Sequence, residues 1–418
     1  MGDRPPPAAP GAGGRRRRVL FVSEAVTLAH VARPFVLSRG LDPTRYETIL
    51  AAAPRYEALF GDWVAGARPI RSIPSEQFLG ALARGQPVYD AATLGAYVRE
   101  DLEVIRETAP DVVVGDFRLS LSVSARVAGV PYLTVTNAYW SPYAHQRFPM
   151  PELPLSRRLG VGAARVLFDA VRPLAFALHT RPLNRVRRDY GLPSLGLDLR
   201  RVYTDADWTL YADVPELAPT VGLPAHHHYL GPILWSPDGE PPAWWAEVPR
   251  DRPAVYVTLG SSGRGALLDA ALEALAPLPV SVLAATVRSG AGAGAGVPEN
   301  AWVAPFLPGR EAAARARLVL CNGGSPATHQ ALAVGTPVLG LAGNMDQHLN
   351  MVGIERRGAG RLLRSEHARP AAIRATVAAM LDDPKWAEAA AAVATIFARY
   401  DAVARFRSLV DAAAGVPG

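Results

Sequence analysis

The sequence predicts an α/β protein built from two parallel-sheet domains, and three observations carry that reading. At 418 residues the chain is too long for one hydrophobic core, because domains commonly run to roughly 100–200 residues. From Val19 onward, short valine- and leucine-rich runs alternate with longer helical patterns, as expected of strands covered on both faces by crossover helices. This alternation occurs twice, on either side of a proline-dense stretch from His226 to Pro253 that carries Trp235, Trp244 and Trp245.

In the first half the strand candidates are VLFVS at Val19, TILAA at Thr48, VVVGD at Val112, YLTVTN at Tyr132 and WTLYA at Trp208. In the second half they are AVYVTLG at Ala254, VSVLAAT at Val280, WVAPF at Trp302, LVLCNG at Leu318 and VLGLAG at Val338. The expected division is a disordered tail over 1–18, a first domain over 19–236, a linker over 237–252 and a second domain over 253–395. A C-terminal helix over 396–418 would be free to pack back on the first domain. The run GAGAGAG at 290–296 reads as a mobile loop.

Bulk composition narrows the function classes. A hydrophobic share of 49% with 20% charged residues suits a globular protein with a large core. The single cysteine, Cys321, rules out an internal disulfide and a cysteine-built metal site, which points to a reducing, cytoplasmic setting. Apolar runs end well short of the roughly 20 residues a bilayer span needs, so no transmembrane segment is expected. The net charge of +6 owes four charges to Arg15–Arg18, so it gives no reason to expect a nucleic-acid partner. VLFVS is too short for a signal-peptide core and runs into Glu24. His226, His227 and His228 are adjacent on an extended segment and cannot converge on one ion, so no metal is expected there.

The chemistry concentrates in LVLCNGGSPATHQALAVGTPVLGLAGNMDQHLNM, from Leu318 to Met351. It reads as strand, turn, helix, strand, loop, and in open parallel sheets ligands sit at the carboxyl ends of strands. Gly323 and Gly324 allow close backbone approach. Ser325 is the expected N-cap and Pro326 the first helical residue, leaving the Ala327 and Thr328 amides to hold an anion such as a diphosphate. By spacing alone the same residues also describe an ordinary capped helix.

This stretch resembles the nucleotide-sugar signature of GT-B glycosyltransferases of the UDP-glycosyltransferase type, the group that includes bacterial macrolide and natural-product enzymes. Gly323, Gly324, Thr328, Ala331, Leu332, Gly335, Pro337, Asp346, Gln347 and Asn350 keep its spacing. The resemblance implies two Rossmann-like domains facing across a cleft. It also implies inverting, metal-independent transfer of a sugar from a UDP- or dTDP-sugar to a hydroxyl of a small apolar or aromatic acceptor. No cofactor is expected beyond that co-substrate. Asp346 and Gln347 would bind sugar hydroxyls. Three positions depart from the pattern: Asn322 replaces its histidine, Ala327 its hydroxyl residue and Gln330 its ribose-binding glutamate. The nucleotide base therefore stays open. By the same resemblance Gly260, Ser261 and Ser262 approach the phosphates, while Val303 and Phe306, after Trp302, wall the base.

On the acceptor side no Gly-x-Gly-x-x-Gly follows the first strand, which disfavours a dehydrogenase-type dinucleotide site. His30 lies beyond that strand end and is the candidate base, since a histidine takes a proton near neutral pH. The resembling enzymes place a proline three residues after this histidine; here Pro34 comes one later, after Arg33. Asp116 closes VVVGD on the same side of the sheet and would orient His30. A core or capping histidine and a turn aspartate are the plainer readings of the two. Asn137, Tyr139, Trp140, Tyr143 and Phe148 supply an aromatic acceptor wall. The helical segment from Val161 to His179 reads as a packed lid, with weak peripheral membrane contact as the alternative. A GT-B epimerase and a non-catalytic nucleotide-sugar-binding partner remain competing functions. Oligomeric state is open.

Overall fold

The computed structural model describes residues 15–237, 240–260, 265–286 and 296–415. Residues 1–14, Ser261, Ser262 and most of the GAGAGAG run therefore lie outside the described residues.

Two wholly parallel sheets organise the chain. The first contains β1 (Arg17–Ser23), β2 (Tyr46–Ala52), β3 (Arg68–Pro69), β4 (Val112–Asp116), β5 (Tyr132–Thr136), β6 (Trp208–Tyr211) and β7 (His227–Tyr229), in the order β3-β2-β1-β4-β5-β6-β7. The second contains β8 (Ala254–Thr258), β9 (Ser281–Ala285), β10 (Ala301–Ala304), β11 (Leu318–Cys321), β12 (Val338–Ala342) and β13 (Gly360–Arg364), in the order β10-β9-β8-β11-β12-β13. Strands β4, β8, β9, β11 and β12 are buried at every residue. That explains why they read as continuous apolar runs rather than alternating ones.

Strand order reverses once in each sheet, between β1 and β4 and between β8 and β11. The carboxyl ends at these reversals stand side by side, Ser23 against Asp116 and Thr258 against Cys321. Such switch points open a crevice beyond the strand ends, because the flanking connections diverge to opposite faces.

Two expected boundaries shift. Arg17 and Arg18 belong to β1 rather than to a tail, and Arg15 and Arg17 pair with Asp111. The helix Lys385–Phe397 runs through the expected break at 395/396 and buries Val393 and Phe397 in the second core. After a short break, the helix Ala402–Ala413 crosses to the first half, where Phe406 and Val410 are fully buried and Phe406 packs at 6.0 Å from Phe21. Tight approaches accompany these crossings. A Cβ on Gly353 would stand 2.1 Å from the Leu217 carbonyl oxygen, and one on Gly40 would stand 2.2 Å from Val403.

Candidate functional site

A cavity of about 570 Å³ lies between the two sheets and is lined from both, including His30, Asp116, Trp140, Gly260, Asn322, Ser325 and Asp346. It joins the two switch points.

On the first-half side, His30 occupies the opening turn of the helix Ala29–Arg39. Its Nδ1 is 2.8 Å from Asp116 Oδ1, and Asp116 is completely buried at the end of β4. A carboxylate can only accept, so Nδ1 carries the proton and Nε2 is the basic ring nitrogen. The ring stacks on Phe117 at 4.8 Å and 12°. Phe117 holds φ = 57°, a left-handed conformation uncommon for a bulky residue, directly after Asp116.

Arg33 completes this corner, a residue that no motif in the sequence marks. It lies on the same helix face one turn from His30 and forks onto Asp116, donating from Nε to Oδ2 at 2.7 Å and from Nη2 to Oδ1 at 2.8 Å. Its Nη1 donates to Asn137 Oδ1 at 2.9 Å. Asn137 Nδ2 in turn donates to Asp213 Oδ2 at 3.1 Å, which also accepts the Ala138 amide. Burial pushes the Asp213 carboxyl up to about 6. Its other oxygen lies 3.8 Å from His329 Nε2, on the helix that opens the second-half site. Burial, with Arg33 adding to it, pushes His329 down to about 3, so it is neutral at ordinary pH.

On the second-half side the helix Ser325–Ala333 begins at the end of β11. Its N-cap is Gly324, in extended backbone, with Ser325 and Pro326 as the first two helical residues. This corrects the expected Ser325 cap by one position; Pro326 is still tolerated because first-turn N–H groups have no partner within the helix. Thr328 N–H donates to the Gly324 carbonyl, so the amides left facing the cavity are those of Ser325 and Ala327. Thr328 itself is buried and does not line the cavity. Its hydroxyl donates to Gly324 O at 3.1 Å and accepts from Asn350 Nδ2 at 2.9 Å. Asn350 Nδ2 also donates to Gly323 O at 2.8 Å, so Asn350 and Gly323 shape the turn without lining the cavity. Gly323 holds φ = 78°, with a Cβ position 3.0 Å from Met351. Asn322 lines the cavity and accepts the Gly324 amide through Oδ1 at 3.1 Å.

Asp346 and Gln347 sit in the first turn of the helix Met345–Arg356, not in a loop. Gln347 Oε1 accepts the Gly343 and Asn344 amides while Asn344 caps Gln347, a capping box that commits the Gln347 carbonyl to the backbone. Asp346 Oδ1 accepts from Trp140 Nε1 at 2.8 Å, a bond across the cleft. Gln330 lines the cavity, and its amide nitrogen donates to the Trp235 carbonyl of the connecting segment. Phe306 and Gly260 line the cavity as well, whereas Val303 turns away and packs on the core behind the sheet.

The expected acceptor wall is only partly realised. Asn137 and Trp140 line the cavity, but Tyr139, Tyr143 and Phe148 do not. Tyr139 and Phe148 are buried in a small cluster with Tyr211 and Leu349, and Tyr143 meets His227 edge-on. The apolar chamber is made instead by Phe168 and Phe176 of the helix Pro154–Asp189 with Leu82, Leu199 and Tyr203. The helical apolar spacing of 161–179 was the available signal. Among the described residues no group of three or more His, Cys, Asp or Glu is arranged to hold a metal ion, and no helix is long and apolar enough to cross a membrane.

Comparison with known proteins agrees with this architecture. Residues 270–400 match the family described as erythromycin biosynthesis protein CIII-like, C-terminal domain. A PGL/p-HBAD biosynthesis glycosyltransferase of Mycobacterium tuberculosis is 55% identical over 392 residues, covering 94% of this chain and 91% of its own. A PGL/p-HBAD biosynthesis rhamnosyltransferase of Mycobacterium bovis is also 55% identical, over 394 residues, covering 94% of this chain and 87% of its own. In structure the chain is similar to spinosyn rhamnosyltransferase SpnG, with a TM-score of 0.67 at 19% identity over 95% of this chain and 100% of that one. The complex of that enzyme with thymidine diphosphate gives the same TM-score and identity over 94% and 100%. Two Rossmann-like sheets facing across a cleft, together with these relatives, define a GT-B glycosyltransferase. At this identity and coverage, the chain belongs to the family of PGL/p-HBAD biosynthesis glycosyltransferases.

Proposed function

We propose that this enzyme transfers a sugar from a nucleoside diphosphate sugar to a hydroxyl of a small apolar or aromatic acceptor, with inversion and without a metal. The observation that carries the reading is the opposition of two devices across one cavity: the His30–Asp116 pair on one wall and the open amides of Ser325 and Ala327 on the other. The acceptor oxygen attacks the anomeric carbon from the face opposite the diphosphate. His30 Nε2 takes the proton as Nδ1–H stays bonded to Asp116, which stabilises the imidazolium that forms. The amides and dipole of the Ser325 helix receive the negative charge of the leaving diphosphate, which is why no divalent ion is needed.

The first half thus serves the acceptor and the second half the donor. Asp346 keeps Oδ2 for a sugar hydroxyl while Trp140 holds Oδ1. A rhamnose-type sugar on a dTDP or UDP carrier is favoured by the rhamnosyltransferase relative and by the thymidine diphosphate complex of the structural relative. The chamber around Phe168 and Phe176 suits a flat or lipid-like acceptor.

His30→Ala is expected to lower turnover by roughly 10²–10⁴-fold, while dTDP or UDP still raises the melting temperature of the variant as it does the wild type. Unchanged turnover removes His30 as the base. Nuclear magnetic resonance of the product reads the anomeric configuration directly, and retention would refute the single-displacement course. Turnover that survives chelation with EDTA is the outcome expected for a metal-free reaction.

A further inference from the structure

We infer that the outward face of the helix Pro154–Asp189 docks on an anionic lipid surface. Ten large hydrophobic side chains are exposed among the described residues, and five of them, Val166, Leu167, Val171, Leu174 and Leu178, lie on this one helix. Val166 is 74% exposed and Leu174 59%. At about 100° per residue Leu167, Val171, Leu174 and Leu178 fall within about 60° of arc, with Val166 about 80° to one side and the buried Ala177 between. Leu197, 68% exposed, stands beside it in a loop tied to the helix by Asn184, which donates to Gly196 O and accepts from Leu195 N. Isolated exposed leucines are ordinary, but a contiguous row on one helix marks a binding face.

The same arc changes character along its length. After Leu178 it continues through Arg181, Arg185 and Arg188, all exposed and spaced by four and three residues. Asp169, the acidic residue of the apolar part, falls off the arc. An apolar segment followed by a cationic one on the same face matches a lipid interface, where the apolar side chains enter the acyl boundary and the guanidinium groups meet lipid phosphates. It fits a second copy of the chain poorly. In an antiparallel helix pair the arginines of one copy would lie on the apolar residues of the other, leaving buried cations without partners.

The inner face of this helix lines the cavity through Phe168 and Phe176, and Leu167 and Val171 belong to both faces. The helix is therefore the partition between the proposed lipid surface and the apolar chamber that leads to His30.

The test uses the full chain with large unilamellar vesicles of phosphatidylcholine alone or mixed equally with phosphatidylglycerol, read by co-sedimentation. Wild type is expected to pellet with the anionic vesicles, to pellet far less with phosphatidylcholine, and to be released by high salt. The triple variant Val166→Ser, Leu174→Ser, Leu178→Ser should bind vesicles at least about tenfold more weakly and keep its melting temperature and its turnover on a water-soluble acceptor, since none of the three lines the cavity. Arg181→Gln with Arg185→Gln should lose the preference for anionic lipid. Wild-type protein that stays in the supernatant overturns the inference, as does a triple variant that binds like wild type. A concentration-dependent dimer in sedimentation velocity that the triple variant abolishes also overturns it, assigning the face to a second copy. Because the readout is vesicle binding, its failure leaves the His30 reading untouched.

Discussion

His30 and Asp116 were legible as strand-end residues near one switch point, because each follows an apolar run that stops at a polar group. Arg33 was not, since nothing in one sequence shows that a helix will turn that guanidinium into a buried carboxylate. Its burial makes it consequential: Asp116 is fully enclosed and holds two of the Arg33 bonds. Arg33→Met should therefore destabilise the protein by about 3 kcal/mol or more, because a buried carboxylate is left without its cation; a urea midpoint equal to wild type would contradict this. Asp213 offers a pH test. Its carboxyl titrates at about 6 folded against an ordinary 3.8, so the folded state binds the proton more tightly. The stability this contributes is complete below pH 3.8 and is lost as pH rises through 6. Asp213→Asn still accepts from the Ala138 and Asn137 amides, and its own amide faces His329 Nε2, a buried nitrogen with no partner. Relative to wild type, the variant should gain stability between pH 4 and 6 and level off on the order of 3 kcal/mol ahead. Parallel melting curves across that range would show a flat difference if the reading is wrong.

At the level of elements, ten of the thirteen strands announce themselves as apolar runs. The three that do not are edge strands whose composition hides them: β3 is an exposed Arg-Pro pair, β7 begins in a histidine tract and β13 sets two adjacent leucines between arginines. The glycine turn before the Ser325 helix was visible as Gly323-Gly324, but its division of labour was not. Gly323 supplies the left-handed residue and Gly324 the cap, while Thr328 and Asn350, which keep the family spacing, serve the turn rather than the ligand. Gly323→Ala should cost about 1–2 kcal/mol from its positive φ and more from the approach of Met351. Nucleotide affinity, read by thermal shift with dTDP and UDP, is expected to fall with it. An affinity equal to wild type would show that the turn does not set the amides of Ser325 and Ala327.

For the whole molecule the informative contacts are those that cross between halves, and they are long-range in sequence, which is why patterning does not reveal them. Trp140 meets Asp346, Gly353 packs against Leu217, and the helix Ala402–Ala413 completes a core begun at β1. Phe406→Ala should cost roughly 3–5 kcal/mol. Its cavity opens beside Phe21, so hydrogen exchange should rise first in β1 and β2 rather than in the second sheet. Protection lost evenly across both sheets would mean that the two halves unfold as one. The position of that helix also orders events during synthesis. Domains normally fold as they emerge, the earlier one first. Here the half that is made first stays short of three core side chains until Ala402, Phe406 and Val410 have left the ribosome. The half made second is the first to be complete, and a chain interrupted before residue 402 would carry the proposed donor site on an unfinished partner.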